Sequence, residues 1–442
     1  MCYNNSKCVV IFLKYFGGVV RMAKKIIQVD EKVPGSMLFP LSLQHMFAMF
    51  GASVLVPIVF GINPGIVLLM NGAGTLFFIF VTKGRAPAYL GSSFAFIAPA
   101  TAIIATKGFE YAQGGFVIVG LLGCVLAFII WKFGTKWIDV VLPPAAMGPV
   151  VALIGLELAS FTVGGGSIGA EIMTENVSVE HIVVFLVTVV VAILGSVIFR
   201  GFLSVIPLLI AIIAGYLTSL CFGMIDFAPV AEASFFSVPQ FQIAKFDGAA
   251  IITMLPVLLV IASEHIGHQL VTGQIVGRDL IKDPGLHRSI FADNFSTAIS
   301  GLIGAVPTTT YGENIGVMAV TGVYSVQVIA GAAIISIIIA FIGPLTALIQ
   351  TIPGDVIGGI TFLLYGMIGT SGIRLMVDQK VDYTKSKNLV LTSIVFVAGL
   401  SGLSINIGGY AFKGMVLASV VAVVFSLLFF LFEKIGLSND AQ

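Results

Sequence analysis

Apolar runs separated by charge, Gly and Pro recur along the whole chain, and their lengths are the first signal. A helix needs about twenty apolar residues to cross roughly 30 Å of hydrocarbon. Read against that length, the runs give fourteen candidate spans, at about 39–59, 65–81, 91–105, 112–131, 143–161, 181–199, 202–222, 249–271, 290–304, 313–322, 325–343, 352–370, 389–404 and 411–432. The third and the tenth are too short to cross as plain helices. Both are polar and interrupted, by Gly91-Ser92-Ser93-Phe94 in one and Thr310-Tyr311-Gly312-Glu313 in the other.

The pattern also repeats. A cut near residue 235 leaves seven spans on each side. Gln44-His45 in the first span echoes Glu264-His265 in the eighth, and the two short segments echo each other. Pro144-x3-Gly148 opens the fifth span much as Pro353-x4-Gly358 opens the twelfth. An odd number of spans per copy inverts the second copy relative to the first. That is the inverted-repeat plan of secondary transporters, whose midplane sites form where interrupted segments of both halves meet. The expected fold is all-α and integral to the membrane, with fourteen transmembrane segments in two inverted seven-span repeats. The expected divisions are a cytoplasmic N-terminal segment 1–35, a first repeat 36–222, an extracytoplasmic connector 223–248, a second repeat 249–432 and a cytoplasmic tail 433–442. Residues 1–21 read as a candidate upstream extension. Their apolar run is broken by Lys14 and too short to span, and Met22-Ala23-Lys24-Lys25 resembles a natural start.

Composition agrees with a lipid-facing chain. Hydrophobic residues make up 58% and charged residues 10% of it, against about 25% charged in soluble domains. The 50 glycines suit close helix–helix approach in lipid. Cys2, Cys8, Cys124 and Cys221 are scattered, which argues against a disulfide framework or a zinc site. A net charge of +1 gives no reason to expect nucleic acid. Charge placement orients the spans. With the N-terminus inside and the spans alternating, all of the 22 Lys/Arg except Lys107, Lys245 and Lys413 fall on the cytoplasmic side. The acidic loop with Glu171, Glu175 and Glu180 falls outside. Both termini are therefore expected in the cytoplasm.

Against this background a few polar residues stand out. An ionisable side chain at mid-span costs about 2.5–3.5 kcal/mol on insertion scales, so such residues are functional candidates by default. Glu264 sits mid-span with His268 one turn later on the same face, and Glu313 follows Pro307-Thr-Thr-Thr-Tyr-Gly312 in the short tenth segment. The alternative is that Glu264 and His268 form a structural pair tying helices together. His45 reads equally as a brace for a broken segment or as a functional group. Glu157 and Asp293 fall near span ends, where a capped or snorkelled carboxylate is expected. Glu264-His-Ile-Gly-His268 is not an HExxH sequence and has no evident third ligand, so no metal is expected. No Walker motif and no Ser-His-Asp set appear, so neither ATP nor hydrolysis nor a cofactor is expected.

A helix that starts mid-membrane exposes its first N–H groups, which can donate to a ligand carbonyl. Phe94 and Gly312 stand at such starts. Backbone donors combined with carboxylate acceptors suit a small, flat, neutral molecule carrying both C=O and N–H groups. Phe94 or Tyr311 can cover a ring face, and the two acids would repel a small anion.

Glu313-Asn-Ile-Gly-Val-Met-Ala-Val-Thr-Gly322 resembles the signature of the nucleobase–ascorbate transporter family: an acid or amide, then Asn-x-Gly, then Thr after four more residues. Ser42-Leu-Gln-His45, Ala88-Tyr-Leu-Gly-Ser-Ser-Phe-Ala-Phe96, Glu264-His-Ile-Gly-His268, Pro284-Gly-Leu-His-Arg-Ser289 and Thr309-Thr-Tyr-Gly-Glu-Asn314 strengthen the likeness, which extends from about residue 36 to 432. The resemblance implies a core domain of spans 1–4 and 8–11, a gate domain of spans 5–7 and 12–14, and short antiparallel strands in segments 3 and 10. It further implies uracil–proton symport, a homodimer formed through the gate domains, and a place in the bacterial cytoplasmic membrane. Carried over by position, Glu264 and Glu313 would bind the base, Phe94 and Gly312 would donate main-chain N–H groups, and Tyr311 and Ala52 would line the pocket. Glu264, His268 and His45 would serve proton coupling, the first two as a coupled unit, and Tyr365 would stand nearby. Gly322 departs from the Arg common in uracil-transporting members, which leaves substrate breadth open. An acid at 313 favours uracil over xanthine or urate. The competing readings are a purine permease of the same family, an anion exchanger of the same architecture, a channel, or a membrane enzyme. The last would need a nucleophile–base set or metal cluster that the sequence does not supply.

Overall fold

Every one of the fourteen apolar stretches contains a helix in the computed structural model, which describes residues 26–438 apart from 164–168, 173–176, 201–202, 205 and 408–409. The candidate extension, Glu175 and the end of the tail lie outside the described residues. The main helices are α1 (Gly35–Phe60), α2 (Pro64–Val81), α3 (Ile97–Lys107), α4 (Phe109–Phe133), α5 (Pro144–Leu158), α6 (Val179–Ile198) and α7 (Pro207–Cys221). The second half adds α8 (Val257–Val276), α9 (Leu286–Ile303), α10 (Gly312–Thr321), α11 (Val326–Ala340), α12 (Gly354–Asp378), α13 (Ser386–Leu400) and α14 (Gly414–Lys434). Among the described residues there are also four short strands, β1 (Leu90–Ser92), β2 (Thr308–Thr310), β3 (Ser404–Ile407) and β4 (Tyr410–Lys413).

Seven helical stretches among the described residues are by themselves long and apolar enough to cross a membrane. Several leave most of their apolar surface outside the protein: only 33% of the α6 window and 39% of the α14 window are buried. Surface of that kind needs lipid around it. The chain is a multi-pass membrane protein.

Local chemistry sets the helix ends. Asn63 accepts the Gly65 N–H at 2.7 Å ahead of Pro64, which needs no donor at the first helical position. Glu157 accepts the Met415 N–H at 2.7 Å and so caps α14, as expected of a carboxylate at a span end. Gly322 ends α10 at a φ of 70°, a conformation that suits glycine.

Two expectations need correction. The eighth span is not one continuous helix: a short helix, Gly248–Met254, precedes α8, and the break falls at Leu255-Pro256. Proline lacks the N–H that would carry the helix through. Strands also occur outside segments 3 and 10, because β3 and β4 pair antiparallel between α13 and α14, with Ser404 opposite Lys413.

The helices pack in two groups. In one, α4 lies on α9, α2 on α11 and α9, and α1 on α11; in the other, α5 lies on α12 and α13, α6 on α7 and α12, and α13 on α14. These are the groups expected as core and gate. Glycine makes the closest approaches. A Cβ on Gly120 of α4 would meet the α9 backbone at Asn294 and Ala298, and one on Gly155 of α5 would meet the α12 backbone at Tyr365 and Gly369. Between the halves, β1 and β2 form an antiparallel pair with Leu90 opposite Thr310, Gly91 opposite Thr309 and Ser92 opposite Thr308. This pair sets out the candidate site.

Candidate functional site

The two-stranded ladder extends one bond past each strand. Ser93 N–H donates to Pro307 O at 2.8 Å, and Tyr311 N–H donates to Tyr89 O at 3.0 Å. Immediately beyond, Phe94 opens a short 3₁₀ turn leading into α3, and Gly312 opens α10. Two helix starts are thereby placed side by side inside the protein. Tyr311 adds a cross-link, its hydroxyl donating to Ser92 O at 3.1 Å.

A cavity of about 690 Å³ lies against these starts, between the two helix groups. The first group contributes Phe47, Phe94, Glu264, His268, and Thr310 to Glu313; the second contributes Val151, Leu208, Phe362 and Gly366. Its walls are chiefly apolar with a few polar groups, the usual character of a small-molecule site. Six residues singled out in the sequence therefore meet at one cavity: Glu264, Glu313, Phe94, Gly312, Tyr311 and His268. Ala52 lies on α1, and its side chain is outside the described set.

Each carboxylate is held differently. Glu264 sits in the middle of α8, 8% exposed, with Oε2 unpartnered among the described residues. Glu313 is half-buried in the first turn of α10, where the positive end of the helix dipole favours a carboxylate. His268 does not hydrogen-bond Glu264. Its Nδ1 stands 3.0 Å from the Thr310 hydroxyl, tying α8 to β2. His45 is buried on α1 beside the site helix: Asn314 Nδ2 of α10 donates to His45 O at 3.0 Å and lies 3.2 Å from its Nδ1. Tyr365 is buried on α12 with its ring edge-on to Phe94, centroids 6.3 Å apart, so it meets the site across the boundary between the groups.

Asp293 departs from expectation. It is neither capped nor snorkelled at a span end but lies within α9, 2% exposed, with Oδ2 2.8 Å from His265 Nδ1. Helix α9 starts at Leu286, four residues before the apolar run begins, which carries Asp293 inward. A repeat could have flagged it, because Asp293-x3-Thr297 on α9 matches Asn71-x3-Thr75 on α2. Glu264 stands within electrostatic reach of both Asp293 and Glu313. Arg374 is the cation among the lining residues, and it pairs with Asp378 on its own helix. The cavity can thus offer carboxylate acceptors, helix-start donors and an aromatic face to one small molecule.

Comparison with known proteins adds the family. Residues 36–408 match the Permease family. Over 421 residues the chain is 50% identical to the uracil permease of Paenibacillus larvae, covering 95% of this chain and 100% of that one. Over 409 residues it is 51% identical to the uracil permease of Escherichia coli K12, covering 92% and 95%. The transmembrane domain of a cyanobacterial bicarbonate transporter, BicA, shares the fold at a TM-score of 0.62 and 14% identity, over 90% of this chain and 100% of that one. The signature at Glu313–Gly322, the paired helix starts and these relatives agree: the chain belongs to the Permease family of nucleobase–ascorbate transporters and is a membrane transporter rather than an enzyme.

Proposed function

We propose that the protein imports uracil by proton symport through alternating access. The observation that carries this is the meeting of Glu264, Glu313 and the helix starts at Phe94 and Gly312 around one cavity. The carboxylates accept the N–H groups of the base, and the main-chain N–H groups of Phe94 and Gly312 donate to its carbonyls. Tyr311 lines the pocket. Relatives at 50–51% identity that carry the name uracil permease support this substrate.

Glu264 and His268, with His45 behind them, serve the proton. Glu264 has the like-charged Asp293 and Glu313 within reach, so a proton bound on Glu264 relieves repulsion. All fourteen helical segments span the bilayer, as inverted repeats at 36–222 and 249–432 joined by the connector 223–248, between the cytoplasmic segment 1–35 and tail 433–442. The core moves against the gate, and two copies join through their gate domains in the bacterial cytoplasmic membrane.

Radiolabelled uracil uptake into proteoliposomes with an imposed pH gradient is the test. Uptake is expected to rise as the outside is made acidic relative to the inside. Uptake indifferent to the gradient would sink the coupling, and absence of uracil uptake would sink the substrate. Competition by xanthine stronger than by uracil would assign the protein to purines.

A further inference from the structure

Two three-residue strands form a ladder too short to fix its own position. Each strand also has an outer edge whose N–H groups point away from its partner and need an acceptor, because the strands are buried. Two threonines supply it. Leu90 N–H of β1 donates to Thr75 Oγ1 at 2.9 Å, and the Thr75 hydroxyl donates to Asn71 O at 2.7 Å. Thr308 N–H of β2 donates to Thr297 Oγ1 at 3.1 Å, and the Thr297 hydroxyl donates to Thr308 O at 2.8 Å. Both threonines are buried, on α2 and α9, which pack together. The positions match closely. Leu90 is four residues before Phe94, and Thr308 is four residues before Gly312.

We propose that Thr75 and Thr297 are a matched pair of positioning residues, each clamping the outer edge of one strand and so fixing one of the two helix-start donors of the substrate site. This rests on Phe94 and Gly312 donating to uracil. The register puts Ser92 opposite Thr308 and Leu90 opposite Thr310, so the clamps act at opposite ends of the ladder. Loss of either frees one strand to slide or rotate, and with it the N–H four residues on. The threonines touch no substrate; they act through the strands.

The test compares Thr75→Val and Thr297→Val, which keep the shape and remove the hydroxyl, with Thr75→Ser and Thr297→Ser, which keep the hydroxyl. Uracil affinity of the purified protein and hydrogen–deuterium exchange over 89–94 and 307–312 are measured together. Each Val variant is expected to raise the uracil Kd about ten-fold, or about 1.4 kcal/mol, and to speed exchange in its own strand. Each Ser variant is expected to restore both. A Val variant with wild-type Kd, whatever its melting temperature, would overturn the positioning role. Should a Val variant fail to fold, Ala at the same position is expected to raise Kd in the same way. If the unaltered protein does not bind uracil, the transport reading fails by itself; the clamp then stands on exchange, and unchanged exchange in the Val variants overturns it.

Discussion

His265 Nδ1 on α8 lies 2.8 Å from Asp293 Oδ2 on α9, and both side chains are buried. Glu264, the neighbour of His265 in sequence, faces the cavity from the same helix. Helix α8 is therefore polar on two sides: one carboxylate meets the ligand space while the adjacent imidazole anchors the helix to α9. A helix carrying a working acid needs such a brace, since movement of α8 would carry Glu264 with it.

The brace is open to removal. Asp293→Ala leaves His265 Nδ1 buried without its acceptor, and an unsatisfied buried polar group costs about 1–3 kcal/mol. The variant is expected to melt at a lower temperature in detergent, with Asp293→Asn less affected because its amide oxygen can still accept. Equal melting of Asp293→Ala and the unaltered protein would show that the pair does not hold α8.

Glu313→Gln tests the ligand side. It keeps the shape and the first-turn position but exchanges an ionised acceptor for a neutral amide that also carries donors. A charge-assisted hydrogen bond is about twice as strong as a neutral one. Uracil binding is expected to weaken more than about ten-fold, or about 1.4 kcal/mol, as read by calorimetry or a binding assay. Near-normal affinity would remove Glu313 from the site.

Gly91 offers a steric test. A Cβ there would run into the ring of Tyr311, which lines the cavity and is tied to Ser92. Backbone holds both groups, so the ring has little room to yield. Gly91→Ala is expected to displace Tyr311, raising the KM for uracil by about ten-fold or abolishing uptake, with a structural cost of about 1–3 kcal/mol. Wild-type uptake would mean that Tyr311 is free to move and does not shape the pocket.

How much of this was legible in sequence depended on the kind of signal. Long apolar runs located the main helices because burial in lipid demands length, and the short runs at 91–105 and 313–322 announced the paired helix starts through their lack of it. Glu264 and Glu313 were legible because isolated acids in apolar context have no bland reading of comparable weight. Asp293 was not, since the apolar run begins only at Ile290 and hid the first turn of α9. The His268–Thr310 contact joins residues 42 apart in the chain, and adjacency to Glu264 on one helix face masked it. The β3–β4 pair fell largely in the connection between the spans 389–404 and 411–432, although Asn406-Ile-Gly-Gly-Tyr410 carries the Gly-Gly signal of a hairpin. The matched threonines were overlooked because a single hydroxyl in an apolar helix is common; only the strands they hold give them meaning.

The chain before α1 packs against the end of α10. Ile27 N–H donates to Gly322 O at 2.9 Å and Tyr324 N–H donates to Ile27 O at 2.8 Å, so this strap lies along the segment that ends α10. Asp30 secures it, with Oδ2 2.7 Å from Arg278 Nη2. The Arg278 hydrogen bond holds the Asp30 carboxyl below its ordinary value of 3.8. A carboxyl lowered on folding contributes stability that is fully present above that value and is lost as pH falls through the lower folded one. The contribution is therefore constant near neutrality and disappears in acid below about pH 4. Asp30 is 63% exposed, so solvent screening keeps the pair to about 0.2–1 kcal/mol. Hydrogen–deuterium exchange over 26–33, corrected for its intrinsic pH dependence, is expected to stay level from about pH 5 to 8 and to quicken in more acid solution. Asp30→Asn is expected to exchange faster from about pH 5 to 8, to match the unaltered protein in acid and to lose the acid step. An acid step that survives Asp30→Asn would place the titrating group elsewhere on the strap.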